Sequence, residues 1–391
     1  MSELPSPDER ALAQSERLVA LIAAEIAAAG GWVPFYRYME LALYAPGLGY
    51  YTGGLHKFGE GGDFVTAPEL TPLFGQALAV QAAAFMRASE PEVIEVGAGS
   101  GLLAVDLLLE LERLGCAPER YGILELSAEL RARQRETLLE RVPALAARVH
   151  WLNVLPEAFS GVVLANEVLD AMPAHVLAVR DGAIFERGVA VAEAGAAPPF
   201  VWADRPARRA LLAAAQRLPL PAQAAGGEYH TEINLAAAAW VGEWGRRLTR
   251  GALLLLDYGY PRAEFYLPMR SRGTLMCHYR QHAYDDPFLW TGLADITASV
   301  DFTAMAEAAF EAGLDVLGYA SQGRFLLNCG ILDRLARRGS RDSADYLRAA
   351  HAVERLTSPR EMGESFKVLA LGKGVDAHLP GFASGDRTHT L

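Results

Sequence analysis

Between Glu92 and Ala165 the chain alternates short apolar runs with amphipathic ones, and a glycine-rich turn marks the first junction. Val93-Ile94-Glu95-Val96 has the length and branching of a buried strand. Gly97-Ala98-Gly99-Ser100-Gly101 comes next, and Leu102 to Leu114 then spaces its apolar residues as a helix does. Tyr121 to Leu126 reads as a second strand and Ala128 to Glu140 as a second helix. Val149-His150-Trp151 and Val162 to Ala165 read as third and fourth strands. Parallel strands need a crossover long enough to hold a helix, so this alternation predicts βαβ units and a mostly parallel sheet.

The glycine turn narrows the ligand. Glycines let the backbone bend sharply and approach a bound molecule with no Cβ in the way. The spacing is G-x-G-x-G, and Leu102 stands where a dinucleotide fingerprint wants a small residue, so a pyrophosphate is not the match. Glu95, at the strand end, suits a cationic aminoacyl group and repels phosphate. Glu125, closing the next strand, has two acceptor oxygens for the two hydroxyls of a ribose. Asn153, after the third strand, can meet an adenine edge. A tight structural turn is the plain alternative for the glycines alone; with Glu125 in place, a nucleoside cofactor is the stronger reading.

Asn166-Glu167-Val168-Leu169-Asp170-Ala171-Met172-Pro173 lies directly after the fourth strand. Ligands of doubly wound sheets sit beyond the carboxyl ends of the strands. Asn166 is therefore assigned to the cofactor, and Glu167 and Asp170 to a cationic acceptor gripped by paired hydrogen bonds. Helix capping is the alternative for both acids. His278 and His282 lie near Asp285, Asp286 and Asp295, but no H-E-x-x-H is present. Loop hydrogen bonding is favoured over a metal site there, with His282 kept as a further candidate base.

The whole chain has 391 residues, 51% of them hydrophobic, which exceeds one ordinary core. Residues 1–88 are expected to form a helical extension and a cofactor-covering loop, with helices from Asp8 to Ala29, from Pro34 to Tyr44 and from Thr66 to about Arg87, the last opened by a Thr66/Glu69 capping box. The α/β core is expected at 89–175, 231–260 and 301–375. An inserted α+β region is expected at 176–230 and an inserted substrate-site segment at 261–300. Residues 376–391 are expected to fray. Within the insertion, 176–192 reads as a strand pair turning at Asp181-Gly182 and 193–227 as an irregular linker; 232–250 reads as a helix. The net charge of −11 argues against non-specific nucleic-acid binding. The three cysteines are widely spaced, which fits reduced thiols and a cytoplasmic setting. No segment reads as a membrane span. Oligomeric state stays open, a homodimer included.

The motifs together resemble the MidA family, which includes a mitochondrial arginine methyltransferase and many bacterial members. The resemblance runs from about Pro34 to Lys373. It is carried by Leu43-Tyr44 with Gly49-Tyr50-Tyr51, by Gly62-Asp63-Phe64-Val65-Thr66 with Pro68-Glu69, by Glu125-Leu126-Ser127, and by Asn166 to Pro173. Asp257-Tyr258-Gly259, Gly273-Thr274 with His282, Asp295-Ile296-Thr297 and Met362-Gly363 with Phe366-Lys367 continue it. Ala98 and Ser100 depart from the Pro and Arg common in the family loop, and Ala67 from a common Ser. The resemblance implies a Rossmann-like class I core, S-adenosyl-L-methionine as cofactor, no metal, and a protein acceptor with arginine favoured. It also implies that Asp63 and Thr66 close over the cofactor, beside Glu95, Gly97, Gly99, Gly101 and Glu125. A protein that binds the cofactor without turnover is one rival; a nicotinamide oxidoreductase, disfavoured by Leu102, is another.

Overall fold

The computed structural model describes residues 4–53, 66–193, 195–221 and 227–391. The chain divides into two compact units. One comprises Val65–Leu169, Ala238–Tyr260 and Phe302–Leu391; the other comprises Met1–Phe64, Asp170–Ala237 and Pro261–Asp301.

The first unit is built on a sheet of strands β1 (Glu92–Val96), β2 (Arg120–Leu124), β3 (Val149–Leu152), β4 (Phe159–Asn166), β5 (Leu248–Tyr260), β6 (Asp315–Ser321) and β7 (Phe366–Lys373). Their spatial order is β3-β2-β1-β4-β5-β7-β6. Neighbours from β3 through β5 are parallel, and β7 runs antiparallel to both β5 and β6. This is the doubly wound Rossmann order with one antiparallel strand slipped in near the edge. Helices on both faces exclude water, so β4 and β5 carry continuous apolar runs: Val162 to Ala165 and Ala252 to Leu256 are all buried.

The strand order reverses between β1 and β4, and Val96 lies opposite Ala165 at their carboxyl ends. The loops leaving these two strands therefore emerge side by side, which is where such sheets take ligands.

Two expectations for this unit are corrected. The helix expected from Thr66 is broken. A short turn, Ala67–Leu70, ends at Thr71, whose backbone is extended, and a new helix runs over Pro72–Ala88. Pro72 disfavours helical backbone at the residue before it. Thr71, not Thr66, supplies the cap, its hydroxyl accepting from Leu73 N at 3.3 Å. The long helix buries Phe74, Leu78, Phe85 and a stripe of alanines in the core of this same unit, although the sequence assigned it to the N-terminal extension. The tail expected to fray is docked. Phe382 packs on Phe325 at 5.3 Å between ring centres, Gln81 accepts from Gly381 N at 3.0 Å, and Asp386 accepts from Tyr319 N at 3.0 Å. An aromatic anchor in a Pro/Gly-rich segment outweighs its weak local propensity.

The second unit is antiparallel. Strands Val33–Pro34, Ala183–Val191, His175–Arg180 and Tyr229–Ile233 lie in that order, and Phe200–Pro206 pairs with Ala183–Val191. A smaller sheet places Met276–Tyr279 between His282–Tyr284 and Asp295–Thr297. Helices Glu9–Ala28 and Phe35–Tyr44 pack here through Leu18, Ile22, Ile26, Phe35 and Tyr38.

The hairpin at Asp181-Gly182 is as expected. The expected linker instead holds the strand Phe200–Pro206 and the helix Arg209–Ala215. The helix expected from Glu232 starts at Leu235. Tyr229-His230-Thr231-Glu232-Ile233 is a strand, and Asn234 caps the helix Leu235–Arg247 by accepting from Ala237 N at 2.8 Å. In the aperiodic 261–300 segment, Thr274 gives its N–H and hydroxyl to the Glu232 carboxylate at 2.9 Å each.

Candidate functional site

The glycine loop leaves β1 with Gly97, Gly99 and Gly101 at φ of +66°, +51° and +85°. Side chains with a Cβ rarely adopt this left-handed backbone, which is why the loop needs glycine at these places. Space is short as well: a Cβ on Gly97 would lie 3.2 Å from Val168 Cγ2, and one on Gly101 would lie 3.3 Å from Gln134 Cα. Gly97 N bonds Leu124 O at 2.9 Å, so the loop is tied to the end of β2.

Glu95 is buried on β1, and its Oε2 accepts from the Tyr121 hydroxyl at 2.6 Å. Burial pushes this carboxyl up to about 7; the Tyr121 bond opposes the rise and the nearby Glu125 adds to it. Glu125, just past β2, is also buried. Its Oε1 accepts from Ser127 N at 3.0 Å and its Oε2 from Gln134 Nε2 at 3.1 Å. Burial raises its pKa too, against the Ser127, Gln134 and Leu126 hydrogen bonds and the Arg131 charge. Two desolvated acids thus lie at the ends of adjacent strands, beside the glycine loop.

Asn153 is exposed, its Oδ1 bound to Arg131 Nη1 at 2.7 Å. Arg131 also donates to Glu125 O at 2.6 Å and Leu152 O at 2.8 Å, stapling the exits of β2 and β3. Asn166 ends β4 and donates to Glu167 Oε1 at 3.1 Å. Glu167 has φ of +53°, a left-handed backbone on a non-glycine residue, with its N–H on Leu256 O at 2.8 Å. Two residues on, Leu169 N donates to Asp257 Oδ2 at 3.0 Å. Strain of this sort persists only where the surroundings over-determine it, and it concentrates at functional loops.

The remaining candidates are placed differently. Thr66 precedes the short turn and makes no side-chain capping bond; Asp63 lies outside the described residues. Glu69, expected in a capping box, instead accepts from the Ser100 hydroxyl of the glycine loop. Asp170 is buried in the second unit, its carbonyl accepting from Ala298 N at 3.0 Å. His282, also in that unit, is joined through Nδ1 to Arg280 O at 2.8 Å across its hairpin turn. A carbonyl only accepts, so Nδ1 is the donor in this hydrogen bond. Tyr38 and Tyr50 are core residues, and Tyr44 stacks on Tyr51 at 5.4 Å. Among the described residues no group of three His, Cys, Asp or Glu could hold a metal, and no helix is long and apolar enough to cross a membrane.

The sequence reading did not single out Gln134 or Asp257 as site candidates; the structure bonds them to the glycine loop and to the segment after β4. Gln134 is fully buried on a helix of otherwise largely charged polar residues, and that contrast was the available signal. Asp257 stood in a motif, but its partner is 88 positions away.

Comparison with known proteins bears on this geometry. Residues 77–320 match a family of S-adenosyl-L-methionine-dependent methyltransferases. A protein from Burkholderia thailandensis, crystallised with S-adenosyl-homocysteine, is 53% identical, with a TM-score of 0.94 and full coverage of both chains. The Drosophila melanogaster protein named protein arginine methyltransferase NDUFAF7 homolog, mitochondrial, is 28% identical over 96% of this chain and 90% of its own length. The human protein arginine methyltransferase NDUFAF7, mitochondrial, is 28% identical over 87% of this chain and 80% of its own length.

Proposed function

Because the chain belongs to the MidA family of S-adenosyl-L-methionine-dependent methyltransferases, we propose that its methyl acceptor is a protein side chain, with the arginine guanidinium favoured. Support for arginine comes from the names of relatives such as the Drosophila and human proteins. The observation that carries the reading of the site is the left-handed Glu167 at the exit of β4, held by Leu256 O and beside Asn166. A carboxylate fixed at the carboxyl edge of the sheet can align a guanidinium nitrogen through charge-assisted hydrogen bonds.

S-adenosyl-L-methionine supplies an electrophilic methyl on a sulfonium. The residues present fit it: a left-handed glycine loop gives backbone approach, and two buried carboxylates lie at adjacent strand ends. In this proposal Glu95 serves the aminoacyl end, Glu125 takes the ribose hydroxyls, Gly97, Gly99 and Gly101 permit approach, and Asn153 and Asn166 complete the cofactor contacts. Asp63 and Thr66 stay proposed as covering residues. Glu167 aligns the acceptor, an effect realised in the transition state rather than in cofactor binding.

The test is methyl labelling of a cell lysate followed by mass spectrometry of the labelled protein. Label on arginine supports the reading; label on another residue type removes the arginine assignment, and absence of any label favours a protein that binds without turnover. With an acceptor in hand, Glu167→Gln should slow single-turnover transfer about tenfold or more while leaving S-adenosylhomocysteine affinity intact. Asp170→Asn tests the second acid in the same way, and His282→Gln the candidate base. Unimpaired transfer in Glu167→Gln returns that residue to a purely conformational role.

A further inference from the structure

Gln134 sits on the helix Ala128–Arg141, fully buried. Its amide makes three hydrogen bonds. Nε2 donates to Gly99 O at 3.0 Å and to Glu125 Oε2 at 3.1 Å, and Oε1 accepts from the Trp151 indole Nε1 at 2.8 Å. An indole N–H can only donate, so the amide atom facing Trp151 is oxygen. The nitrogen then necessarily faces two acceptors, and its two hydrogens match them one for one. The same residue's Cα, Cγ and Cβ lie 3.3 to 3.5 Å from where a Cβ on Gly101 would stand. One uncharged side chain thus touches the glycine loop at two points, the acid after β2, and β3.

We propose that Gln134 is the positioning residue of the nucleoside site: it locks the Gly99 carbonyl and the Glu125 carboxylate in one fixed relation, and so sets how tightly a ribose is held. The inference rests on the reading of Glu125 as the ribose acid. With Ser127 N on one oxygen and Gln134 on the other, the carboxyl plane cannot rotate. Several groups act on the ionisation of Glu125. Arg131 and the N–H donors of Ser127, Leu126 and Gln134 favour the carboxylate; burial and the neighbouring Glu95 carboxyl oppose it. Removing the Gln134 donor tips this balance toward the protonated acid. A protonated Glu125 accepts one ribose hydroxyl poorly, so the loss of affinity on acidification should begin at higher pH.

Two variants separate positioning from bulk. Gln134→Met keeps the volume and removes every hydrogen bond. Gln134→Glu keeps the shape and the acceptor for Trp151, replaces the amide donors, and sets a second acid against Glu125, which acts on the Glu125 ionisation in the same direction. S-adenosylhomocysteine affinity is measured by calorimetry across pH 5 to 9, with circular dichroism and thermal melting to confirm folding. Both variants should bind about tenfold more weakly near neutrality, as one hydrogen bond to a charged group implies. The acid limb of both profiles should move to higher pH, a change that looser packing alone does not produce. In a Glu125→Ala background, Gln134→Met should no longer move the limb. A wild-type profile in a folded Gln134→Met protein overturns the proposal, as does a shift that persists without Glu125. If Glu125→Ala alone binds like the wild type, the ribose reading itself fails, and that result is distinct from both.

Discussion

Two buried acids, Glu95 and Glu125, make the folded protein sensitive to pH, and Glu95 permits a quantitative test. Its carboxyl rises from an ordinary 4.5 to about 7 in the folded protein, chiefly through burial. At about 1.4 kcal/mol per pH unit, the native state is about 3 kcal/mol less stable above pH 7 than below pH 4.5 on account of this one group. The sign comes from the raised value. The folded protein binds the proton more tightly than the unfolded chain, so the contribution is fully present below pH 4.5 and is lost as pH rises through about 7. Glu95→Gln keeps an acceptor for the Tyr121 hydroxyl and cannot ionise. Urea unfolding from pH 4.5 to 8 should show the variant gaining on the wild type by about 3 kcal/mol across that window. Asp106, also raised to about 7 by burial, is common to both proteins and cancels in the difference. If Glu95 serves a cationic aminoacyl group, ligand binding near neutrality should also release a proton. Calorimetric enthalpies would then depend on the buffer more strongly in the wild type than in the variant. A stability difference that stays constant from pH 4.5 to 8 refutes the reasoning.

Gly99→Val places a β-branched side chain on left-handed backbone at φ of +51°, at a strain of about 1–2 kcal/mol. The fold should survive by circular dichroism, and calorimetry should detect no S-adenosylhomocysteine binding; wild-type affinity would remove the loop from the site. Asp257→Ala strips Leu169 N of the Asp257 carboxylate it donates to and should cost about 1–3 kcal/mol, with faster hydrogen exchange at that amide as the local readout. Phe382→Ala removes the aromatic anchor of the C-terminal segment, buried against Phe325. It should cost about 3–5 kcal/mol and open the tail to limited proteolysis, whereas an unchanged cleavage pattern would show that Phe382 does not anchor the segment.

The parts of the fold legible in the sequence are those whose signal is local. The alternation from Glu92 to Ala165 marked β1 to β4, because strands buried on both faces must be continuously apolar and their crossover helices must be amphipathic. Glycine spacing marked the loop after β1, since left-handed backbone filters residue type at that spot. An acid at the end of β2 and an Asn-Glu pair at the end of β4 could be picked out because the carboxyl ends of parallel strands are where ligands go.

The rest depended on partners far apart in the chain. Thr66 and Glu69 match a capping box in sequence, yet the Glu69 carboxylate is taken by Ser100, 31 positions on, and Thr71 caps instead. Phe200–Pro206 pairs with Ala183–Val191 as an edge strand with only one residue fully buried, so its apolar pattern is too thin to announce it. Gln134 is one polar residue among many until the fold brings Gly99, Glu125 and Trp151 around its amide. Backbone propensity and periodicity act within a turn or a strand, and they made the class of fold and the glycine loop legible. Hydrogen-bond partnership and burial are set by residues tens to hundreds of positions away. Only the tertiary structure could decide which acids are desolvated, which side chain caps, and which amide bridges the glycine loop and Glu125.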